Sequence, residues 1–389
     1  MEVTDVQYKE SEIGVIPVDW NVKKISDFSK PVRGGSPRPA GSPLYFNGDY
    51  IPWLTVAALT NISSSQIFVS ETEGFLTQLG SEYSRTLEKD TLIIANSGAT
   101  LGVAKLLAIK CCANDGIAAL NNFSREVDKA YVVYYINSIT QKLREVVATG
   151  NGQPNLNTTL IGDLRIPLPP TKSEQTAIAT ALSDTDALIE NLEKLIAKKR
   201  NIKQGVMQEL LKPESNWILT SVGEVATIRK GEQLNKDTLT AQGQYPVMNG
   251  GIQPSGYTDK WNQNPNTIII SEGGNSCGYV NFIKTRFWQG GHCYSVDAKI
   301  HKHFLYHLLK FHEKEIMGLR VGSGLPNIQR NRLIEFSLSI PDREKQHAIA
   351  LVLDEINEVI TAMENKLQKY KMVKQGMMQA LLTGKIRLV

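Results

Sequence analysis

The sequence has few cysteines and no long apolar run. The first feature argues against a zinc-binding protein, and the second argues against a membrane-spanning one. Its 389 residues include four cysteines, Cys111, Cys112, Cys277 and Cys293, and no two of them show zinc-finger or zinc-ribbon spacing. No apolar run approaches the roughly 18 residues of a membrane span. The N-terminus lacks the basic and apolar regions of a signal peptide. We therefore expect a soluble, cytoplasmic protein without a metal site.

The charge balance is also modest. The formal net charge is +4, with 41% hydrophobic and 21% charged residues, which is ordinary globular composition for two or three domains. This charge permits nucleic-acid binding without requiring it, so local clusters must decide.

Sequence motifs for catalysis are missing as well. Thr383-Gly384-Lys385 lacks the upstream glycine and the following hydroxyl of a phosphate-binding loop, and no Gly-x-Gly-x-x-Gly follows a strand. The Asn264-Pro265-Asn266 segment lacks the second proline and the aromatic residue of an amino-methyltransferase loop. We therefore expect a chain that holds no cofactor and carries no reaction of its own.

Two weaker catalytic patterns are better explained as structure. Asp342 and the Glu364-Asn365-Lys366 segment resemble nuclease acids, but the second lies inside a predicted helix, about 30 Å along it. His301, His303 and His307 lie near a helix start without a defined third metal ligand, so packing or surface roles are favoured.

Internal repetition is the dominant feature of the chain. Lys203–Leu211 recurs as Lys374–Leu382, and Gln175–Ala179 recurs at the same offset as Gln346–Ala350. Upstream, a Gly-x-Gly-x-Pro-Asn motif occurs twice, and its residues are Gly150, Gly152, Pro154 and Asn155 in the first copy and Gly322, Gly324, Pro326 and Asn327 in the second. The chain is therefore a tandem duplication. Its two globular parts do not align by eye, and the first of them is the longer.

Each repeat is predicted to be an α+β domain followed by a long helix. Short β-branched runs such as Tyr50–Leu54, Thr91–Ala95 and Thr267–Ser271 are typical of strands, and Tyr131–Val147 and His303–Met317 of helices. A helix of about 40 residues then begins at a cap, Thr171 or Ser173 in the first repeat and Asp342 in the second. We expect two globular domains, residues 1–168 and 213–341, each followed by a long helix, residues 169–212 and 342–389.

The long helices carry apolar stripes that need a partner. In the first the stripe falls at positions 178, 181, 185, 188, 192, 195, 202 and 206, with Lys199 interrupting it, and in the second at 349, 352, 356, 359, 363, 367, 370 and 377. A helix of this length spans about 60 Å. We expect the two helices to pack together as an antiparallel coiled coil, related by a pseudo-two-fold axis and separating the globular domains. The alternative is that each helix packs on its own domain.

Loops that combine glycine, short polar side chains and basic residues are the candidate DNA contacts. Glycine lets the backbone approach a phosphate, and arginine pairs with guanine edges. The loop at 30–38 and its counterpart at 229–236 recur at the same place in both repeats. The candidates in the first repeat are Arg33, Gly34, Gly35, Ser36, Arg38, Asn96, Ser97, Thr100 and Lys105, and those in the second are Arg229, Lys230, Gln233, Asn249, Gln253, Asn275 and Ser276.

The shared Gly-x-Gly-x-Pro-Asn motif has a different expected role. Because it is repeated where the globular parts vary, it favours fixing backbone geometry or docking a common partner over base recognition.

These blocks resemble a known family. The run from Gly150 to Leu211, with its Pro-Pro-x-x-x-Glu-Gln segment and its Lys-Gln-Gly-x-Met-Gln-x-Leu-Leu end, is similar to the repeated region of type I restriction-modification specificity subunits. The resemblance covers the whole chain. It has one departure: the second repeat has Lys345 at the position where the first repeat has Glu174.

The resemblance implies a role without catalysis. Each globular part would recognise one half of an asymmetric, bipartite DNA target, and the helices would set the gap between the halves. Two adenine methyltransferase subunits and two ATP-driven translocase-nuclease subunits would bind this chain. S-adenosylmethionine, ATP and Mg²⁺ would then belong to those partners. The rival hypotheses are a two-lobed protein-binding adaptor and an atypical DNA methyltransferase or nuclease.

Overall fold

The computed structural model describes residues 7–147, 155–322 and 326–388. These residues divide into two compact units. Unit 1 contains residues up to Lys194 together with those from Asn365 onward, and unit 2 spans Leu195–Glu364. Each unit therefore combines one globular domain with segments of both long helices.

Unit 1 begins with the N-terminal globular domain. Its elements in chain order, ending with the helix that continues into unit 2, are β1 (Tyr8–Ser11), β2 (Gly14–Pro17), β3 (Asn21–Lys24), β4 (Lys30–Arg33), β5 (Phe46–Leu54), α1 (Val56–Asn61), β6 (Phe68–Val69), β7 (Gly74–Leu76), α2 (Gln78–Glu82), β8 (Arg85–Leu87), β9 (Leu92–Ala95), β10 (Ala104–Leu107), β11 (Cys111–Ala113), β12 (Ile117–Asn121), α3 (Lys129–Ser138), α4 (Thr140–Lys142), α5 (Thr158–Gly162), β13 (Arg165–Leu168) and α6 (Lys172–Leu210).

Two sheets form the body of this domain. One has the strand order β4-β12-β9-β10-β6 and the other β7-β5-β11-β8, with small pairs β1-β2 and β3-β13 beside them. Helix α3 is buried along most of its length, and Tyr131 and Tyr134 are among its buried side chains. The Tyr131 hydroxyl donates to the Pro167 carbonyl at 2.6 Å, so the aromatic ring is buried without leaving its polar atom unpaired.

Unit 2 contains the second globular domain. Its elements, ending with the helix that continues into unit 1, are β14 (Ile218–Ser221), α7 (Val222–Val225), β15 (Ala226–Lys230), β16 (Tyr245–Met248), β17 (Gly256–Thr258), β18 (Thr267–Ser271), β19 (Val280–Ile283), β20 (Trp288–Gln289), β21 (Cys293–Ala298), α8 (Lys302–Phe311), α9 (Glu313–Gly318), α10 (Arg330–Ile334), β22 (Ser337–Ile340) and α11 (Arg343–Leu381).

The two domains share one sheet topology that block-by-block comparison of the sequence did not reveal. The order β15-β21-β18-β19 reproduces β4-β12-β9-β10, and β17-β16-β20 reproduces β7-β5-β11. Even the parallel pairs correspond, β5 with β11 and β16 with β20. Strands β6 and β8 have no counterpart among the described elements of unit 2, which accounts for part of the greater length of the first domain.

A repeated glutamine fixes the start of each long helix. Gln175 donates to the Pro169 carbonyl at 3.1 Å and accepts from the Asp128 backbone N–H at 2.8 Å. Gln346 does the same with the Pro341 carbonyl and the His301 N–H, at 2.9 and 3.1 Å. The repeated Gln block therefore ties each long helix to the first turn of the buried helix of its own unit, α3 or α8.

The long helices confirm the predicted lengths and one of the two alternative caps. Both are 39 residues long. Thr171 accepts from the Glu174 N–H at 3.2 Å, and Asp342 from the Lys345 N–H at 2.9 Å, so both are N-caps. Ser173 lies inside α6 instead.

The helices pair antiparallel, as predicted. In unit 1, Asp186 of α6 lies 2.5 Å from Lys374 of α11, and Glu193 of α6 lies 2.7 Å from Lys371 of α11. Residue numbers rise along α6 as they fall along α11, so the two helices are antiparallel. In unit 2, Arg200 of α6 pairs with Glu364 of α11 at 2.5 Å.

Part of the predicted apolar stripe was wrong by one residue. Leu188, Leu195 and Ile202 are 52%, 42% and 44% exposed. The buried positions of α6 are instead Leu182, Ile189 and Ile196, and those of α11 include Leu353 and Ile360 rather than Val352 and Val359. These buried positions recur every seven residues, which is the repeat of a coiled-coil seam. Adjacent apolar residues, such as Leu188-Ile189, made its phase ambiguous from the sequence.

No described helix combines the length and the apolar character needed to cross a membrane.

Candidate nucleic-acid interface

The predicted basic loop of unit 1 follows β4 and packs on the turn between β11 and β12. The Gly34 and Gly35 N–H groups donate to the carbonyls of Ile117 and Ala113 at 2.8 and 2.9 Å. A Cβ on Gly34 would collide with the Asn114 carbonyl, so glycine is required for this approach. The loop and the turn are thereby held as one surface.

Asp115 is the centre of this surface. Ser36 donates to its carboxylate at 2.7 Å, and the Arg33 Nε donates to its backbone carbonyl at 2.6 Å. The guanidinium groups of Arg33 and Arg38 lie 3.8 and 3.7 Å from the carboxylate. Both arginine side chains are more than half exposed, at 58% and 73%. Two cations are therefore presented to solvent by one acid.

The predicted residues after β9 meet the same turn from the other side. The Asn96 amide donates to the Asp115 carbonyl at 3.2 Å, although Asn96 is buried. Ser97 is half-buried, and Thr100 is buried. The structure thus brings Arg33, Ser36, Arg38 and Asn96 together around Asp115. Asn96 is buried and supports the turn through its hydrogen bond to the Asp115 carbonyl.

The expectation that Lys105 contacts DNA has to be corrected. Lys105 lies on β10, is 2% exposed, and donates to the carbonyls of Ser63 and Gln66. Burial, with the nearby charge of Lys374, lowers the pKa of Lys105 to about 8. Its ammonium group is committed to the protein interior and is not available to a phosphate.

The predicted basic loop of unit 2 is placed in the same way. Gly231 and Glu232, directly after β15, donate from their N–H groups to the carbonyls of Cys293 and Gln289 at 3.1 and 3.0 Å. A Cβ on Gly231 would collide with the Gly290 carbonyl. The loop therefore packs on the turn between β20 and β21, which corresponds to the β11–β12 turn of unit 1.

Glu272 is the acidic centre of this second surface. Its carboxylate accepts from Lys230 at 2.7 Å and from the Tyr294 hydroxyl at 2.9 Å, and His292 lies 3.9 Å away. Burial, together with the hydrogen bond to Glu272 and its charge, raises the pKa of Tyr294 above its usual range. Lys230 is the cation that this acid presents to solvent.

Amide and hydroxyl groups complete the second surface. Asn249 accepts from the His292 N–H at 3.2 Å, and Ser276 donates to the Gly250 carbonyl at 2.5 Å. The remaining predicted residues, Arg229, Gln233, Gln253 and Asn275, are exposed. Arg229 lies 3.4 Å from Asp297, a contact that leaves its side chain 69% exposed.

The Gly-x-Gly-x-Pro-Asn motif lies against these surfaces where the structure describes it. Ile328, which follows Asn327, donates to the Glu272 carbonyl at 2.8 Å, and Leu156, which follows Asn155, donates to the Asn96 carbonyl at 2.8 Å. The Pro326 carbonyl also accepts from Gly274 at 3.0 Å. This repeated bond favours the backbone-fixing role. Gly150, Gly152, Pro154 and Gly324 lie outside the described residues, whereas Gly322 has a left-handed backbone with φ of 96°.

Sequence reasoning missed the two turns that organise the surfaces. Asp115 belongs to an Asn-Asp-Gly turn between two apolar strands, a signal for a tight connection. His292 follows Gly290-Gly291 in the corresponding position. These glycine-containing turns could have been identified from the sequence, but not the pairing of Asp115 with the arginines or of Glu272 with Lys230.

The residues considered for catalysis have structural roles. Asp342 caps α11 and Glu364 pairs with Arg200. His303 and His307 both bind Asp354, at 2.5 and 2.8 Å, and burial lowers the pKa of His307. Across residues 7–147, 155–322 and 326–388, no three acidic, histidine or cysteine side chains are grouped to hold a metal ion.

Comparison with known proteins now assigns the family. The family model described as the type I restriction modification DNA specificity domain matches twice, over residues 17–199 and 214–371. The MjaIX specificity subunit of a type I restriction enzyme from Methanocaldococcus jannaschii is 24% identical over 98% of this chain and 97% of the relative. A putative type I specificity subunit from Mycoplasma pneumoniae is 34% identical over 39% of this chain and 43% of the relative.

A solved structure shares the fold. The S subunit of a type I restriction-modification system from M. genitalium superposes with a TM-score of 0.70 at 17% identity, over 98% of each chain.

The duplicated match defines a two-domain DNA-specificity protein, and the chain belongs to the type I restriction-modification DNA specificity family. It is a specificity subunit, the non-catalytic DNA-recognition component of such a system. The tandem α+β organisation with paired long helices is confirmed.

Proposed function

We propose that each globular domain recognises one half of a bipartite, asymmetric DNA target. The observation that carries this proposal is the repeated placement of a basic glycine loop on the same turn of the same sheet topology. The frame repeats while the displayed side chains do not. A shared frame with different side chains suits two related sites of different sequence.

The two surfaces offer different chemistry to DNA. Unit 1 presents Arg33 and Arg38, whose fork-like guanidinium groups match guanine edges or phosphates. Unit 2 presents Lys230 together with the amides of Gln233 and Gln253, and amides suit adenine. We therefore expect the two half-sites to differ in sequence.

The long helices, in this proposal, set the unread gap between the half-sites and dock two DNA adenine methyltransferase subunits. Two restriction subunits complete the assembly. S-adenosylmethionine, ATP and Mg²⁺ belong to these partners, and the complex acts in the cytoplasm. The apolar residues Leu195 and Ile202, both in the unit 2 segment of α6, support a docking role, because they leave partly exposed apolar side chains at heptad spacing.

Methyl transfer separates this proposal from the rival enzyme. Purified chain, with and without a co-expressed methyltransferase subunit, is incubated with labelled S-adenosylmethionine and duplex DNA. We expect label in DNA only when the partner is present. Methyl transfer by the chain alone would contradict the proposal. Methylation by the complex without any sequence preference would favour the adaptor hypothesis.

A further inference from the structure

A cavity recurs at the same position in both units. In unit 2 it has a volume of about 800 Å³, and in unit 1 of about 430 Å³. Each cavity lies between the buried helix of the globular domain (α8 or α3) and the segments of α6 and α11 in the same unit. The wall residues Lys203 and Asn357 of unit 2 correspond to Lys374 and Asp186 of unit 1, by the same offset that relates Gln175 to Gln346.

In unit 1 the lysine of this wall is neutralised. Lys374 Nζ lies 2.5 Å from one carboxylate oxygen of Asp186, and the other oxygen accepts from the Tyr134 hydroxyl at 2.9 Å. The Asp186 side chain is 5% exposed, so the pair is almost entirely removed from water. The positive charge of Lys374 is therefore balanced by the carboxylate of Asp186 within unit 1.

In unit 2 the neutralising acid is absent, because Asn357 stands where unit 1 has Asp186. Within the described part of the chain, no carboxylate lies within 4.0 Å of Lys203. Two acids of the cavity wall are paired with other bases, Glu364 with Arg200 and Glu313 with Lys310, each at 2.5 Å. Burial and the charge of Lys310 lower the pKa of Lys203, and the charge of Glu364 opposes them only in part.

Apart from Lys203, the lining carries four basic residues, Arg200, Lys284, Lys310 and Lys314, and four acids, so Lys203 supplies the one excess positive charge when histidine is counted as neutral. Lys284 and Lys314 are exposed at the cavity and form no ion pair with a described residue, and of the four acids only Glu358 is without a basic partner. The fourth acid, Asp354, is held by His303 and His307. The aromatic side chains of Phe282, Tyr306 and Phe311 supply apolar wall.

We propose that this cavity of unit 2 binds a small organic anion, with its phosphate or carboxylate group against Lys203 and an apolar or aromatic body between the aromatic side chains. The volume lies within the roughly 300–1,000 Å³ of small-molecule sites, which combine apolar walls with a few placed charges. An anionic group supplies the counter-charge that Asp186 supplies to Lys374 in unit 1. The proposal does not depend on which DNA sequence the chain recognises.

The repeat itself provides the decisive variant. Asn357→Asp installs the carboxylate of unit 1 beside Lys203 and should occupy the anion position without removing the cation. Asn357→Ser is the matched control, because it changes the same residue and leaves Lys203 free. The probe is phenyl phosphate, titrated calorimetrically into the full chain, with inorganic phosphate and phenylacetate in parallel.

We expect one phenyl phosphate per chain with a dissociation constant at or below about 1 mM. Asn357→Asp should weaken binding at least about tenfold, with Asn357→Ser close to the original chain, and Lys203→Gln should weaken it similarly. Thermal melting checks that each variant is folded. Absence of saturable binding, or equal binding by Asn357→Asp and Asn357→Ser, would overturn the proposal.

Two further arms identify the source of the anion. The titration is repeated with duplex DNA bound and with the methyltransferase subunit assembled. Retained binding supports a free small ligand. Displacement of phenyl phosphate by either macromolecule would overturn that assignment in favour of a phosphate of DNA or an acidic group of the partner.

Discussion

At the scale of single residues, the arginines of unit 1 are held by contacts that DNA can replace. Arg33 and Arg38 lie more than 3.5 Å from the Asp115 carboxylate, with most of each side chain in solvent. Exposed pairs of this kind contribute about 0–1 kcal/mol to stability. Exchanging Asp115 for a phosphate or a guanine edge therefore costs little, and the turn keeps both side chains positioned.

Removing these arginines should weaken DNA binding without affecting assembly. Arg33→Ala or Arg38→Ala should each cost about 1–3 kcal/mol of DNA affinity, measured by fluorescence anisotropy with the assembled methyltransferase complex at fixed salt. Arg165→Ala is the control, since Arg165 pairs with Glu12 outside the loop cluster. Loss of the methyltransferase subunit during co-purification would contradict the loop assignment.

Lys105 should affect stability as a function of pH and leave DNA affinity alone. Its folded pKa of about 8 is below its usual 10.5, so the unfolded chain binds more protons between these values. Stability from this group therefore rises as the pH increases from 8 towards 10.5, and its full penalty is present below pH 8. Urea unfolding of the original chain and Lys105→Met across this range should give curves that differ by this rise. A folded Lys105→Met variant that no longer binds DNA would contradict the correction made for this residue.

At the scale of elements, the helices show what periodicity can and cannot determine. Length, caps and antiparallel pairing followed from the apolar stripe, the proline stop and the capping residues. The phase did not, because Leu188-Ile189 and Leu195-Ile196 offer two apolar choices at each turn. The folded structure buries Ile189 and Ile196 and leaves Leu188 and Leu195 partly exposed.

The corrected seam predicts opposite outcomes for adjacent residues. Ile189 is 3% exposed, so Ile189→Ala should cost about 2–5 kcal/mol of unfolding free energy. Leu188 is 52% exposed, so Leu188→Ala should change the unfolding free energy by no more than about 0.5 kcal/mol. Urea unfolding of the two variants tests this directly. Equal losses would show that the seam is not phased as described.

The departure at Lys345 is explained by an ion pair of reversed polarity. In unit 1, Glu174 accepts from Arg387, which also binds both carboxylate oxygens of Asp19 at 2.9 Å. In unit 2, Lys345 occupies the position of Glu174 and pairs with Glu214 at 2.6 Å. Each helix start is thus joined by charge to the segment that follows the other helix, with the signs exchanged.

These two pairs should differ sharply in their contribution. Glu174 is 1% exposed, so Arg387→Ala leaves a buried carboxylate unpaired and should cost about 3–5 kcal/mol. The Lys345–Glu214 pair is exposed by 35% and 56%, so Lys345→Ala should cost at most about 1 kcal/mol. The measurement is chemical unfolding of both variants at low salt. A loss for Lys345→Ala as large as that for Arg387→Ala would contradict the burial argument.

At the scale of the whole molecule, most of the correct predictions came from the internal repeat of the sequence. The duplicated blocks identified two units, their long helices and the place of the basic loops, since these depend on local signals repeated in order. Three features could not be predicted in this way: the sheet topology, the pairing of basic loops with the turns at Asp115 and His292, and the burial of Lys105. They depend on contacts between residues far apart in the sequence, and no local sequence pattern indicates such contacts. The functional division at residues 168, 212 and 341 stays a prediction, as do the base contacts.

The gap between half-sites tests the spacer role of the helices. Removing one heptad from the middle of α6 and the paired heptad of α11 should shorten the helix pair by about 10 Å, because each residue rises 1.5 Å. The two half-sites should then be retained while the number of unread bases between them changes.

Genome-wide methylation mapping tests the central claim most directly. Cells expressing this chain with a methyltransferase subunit should carry methyladenine in a single split motif with two different halves and a fixed gap. The Arg33→Ala Arg38→Ala variant should alter one half only, and the heptad deletion should alter only the gap. A continuous motif, or a change in both halves from the unit 1 variant, would contradict the account.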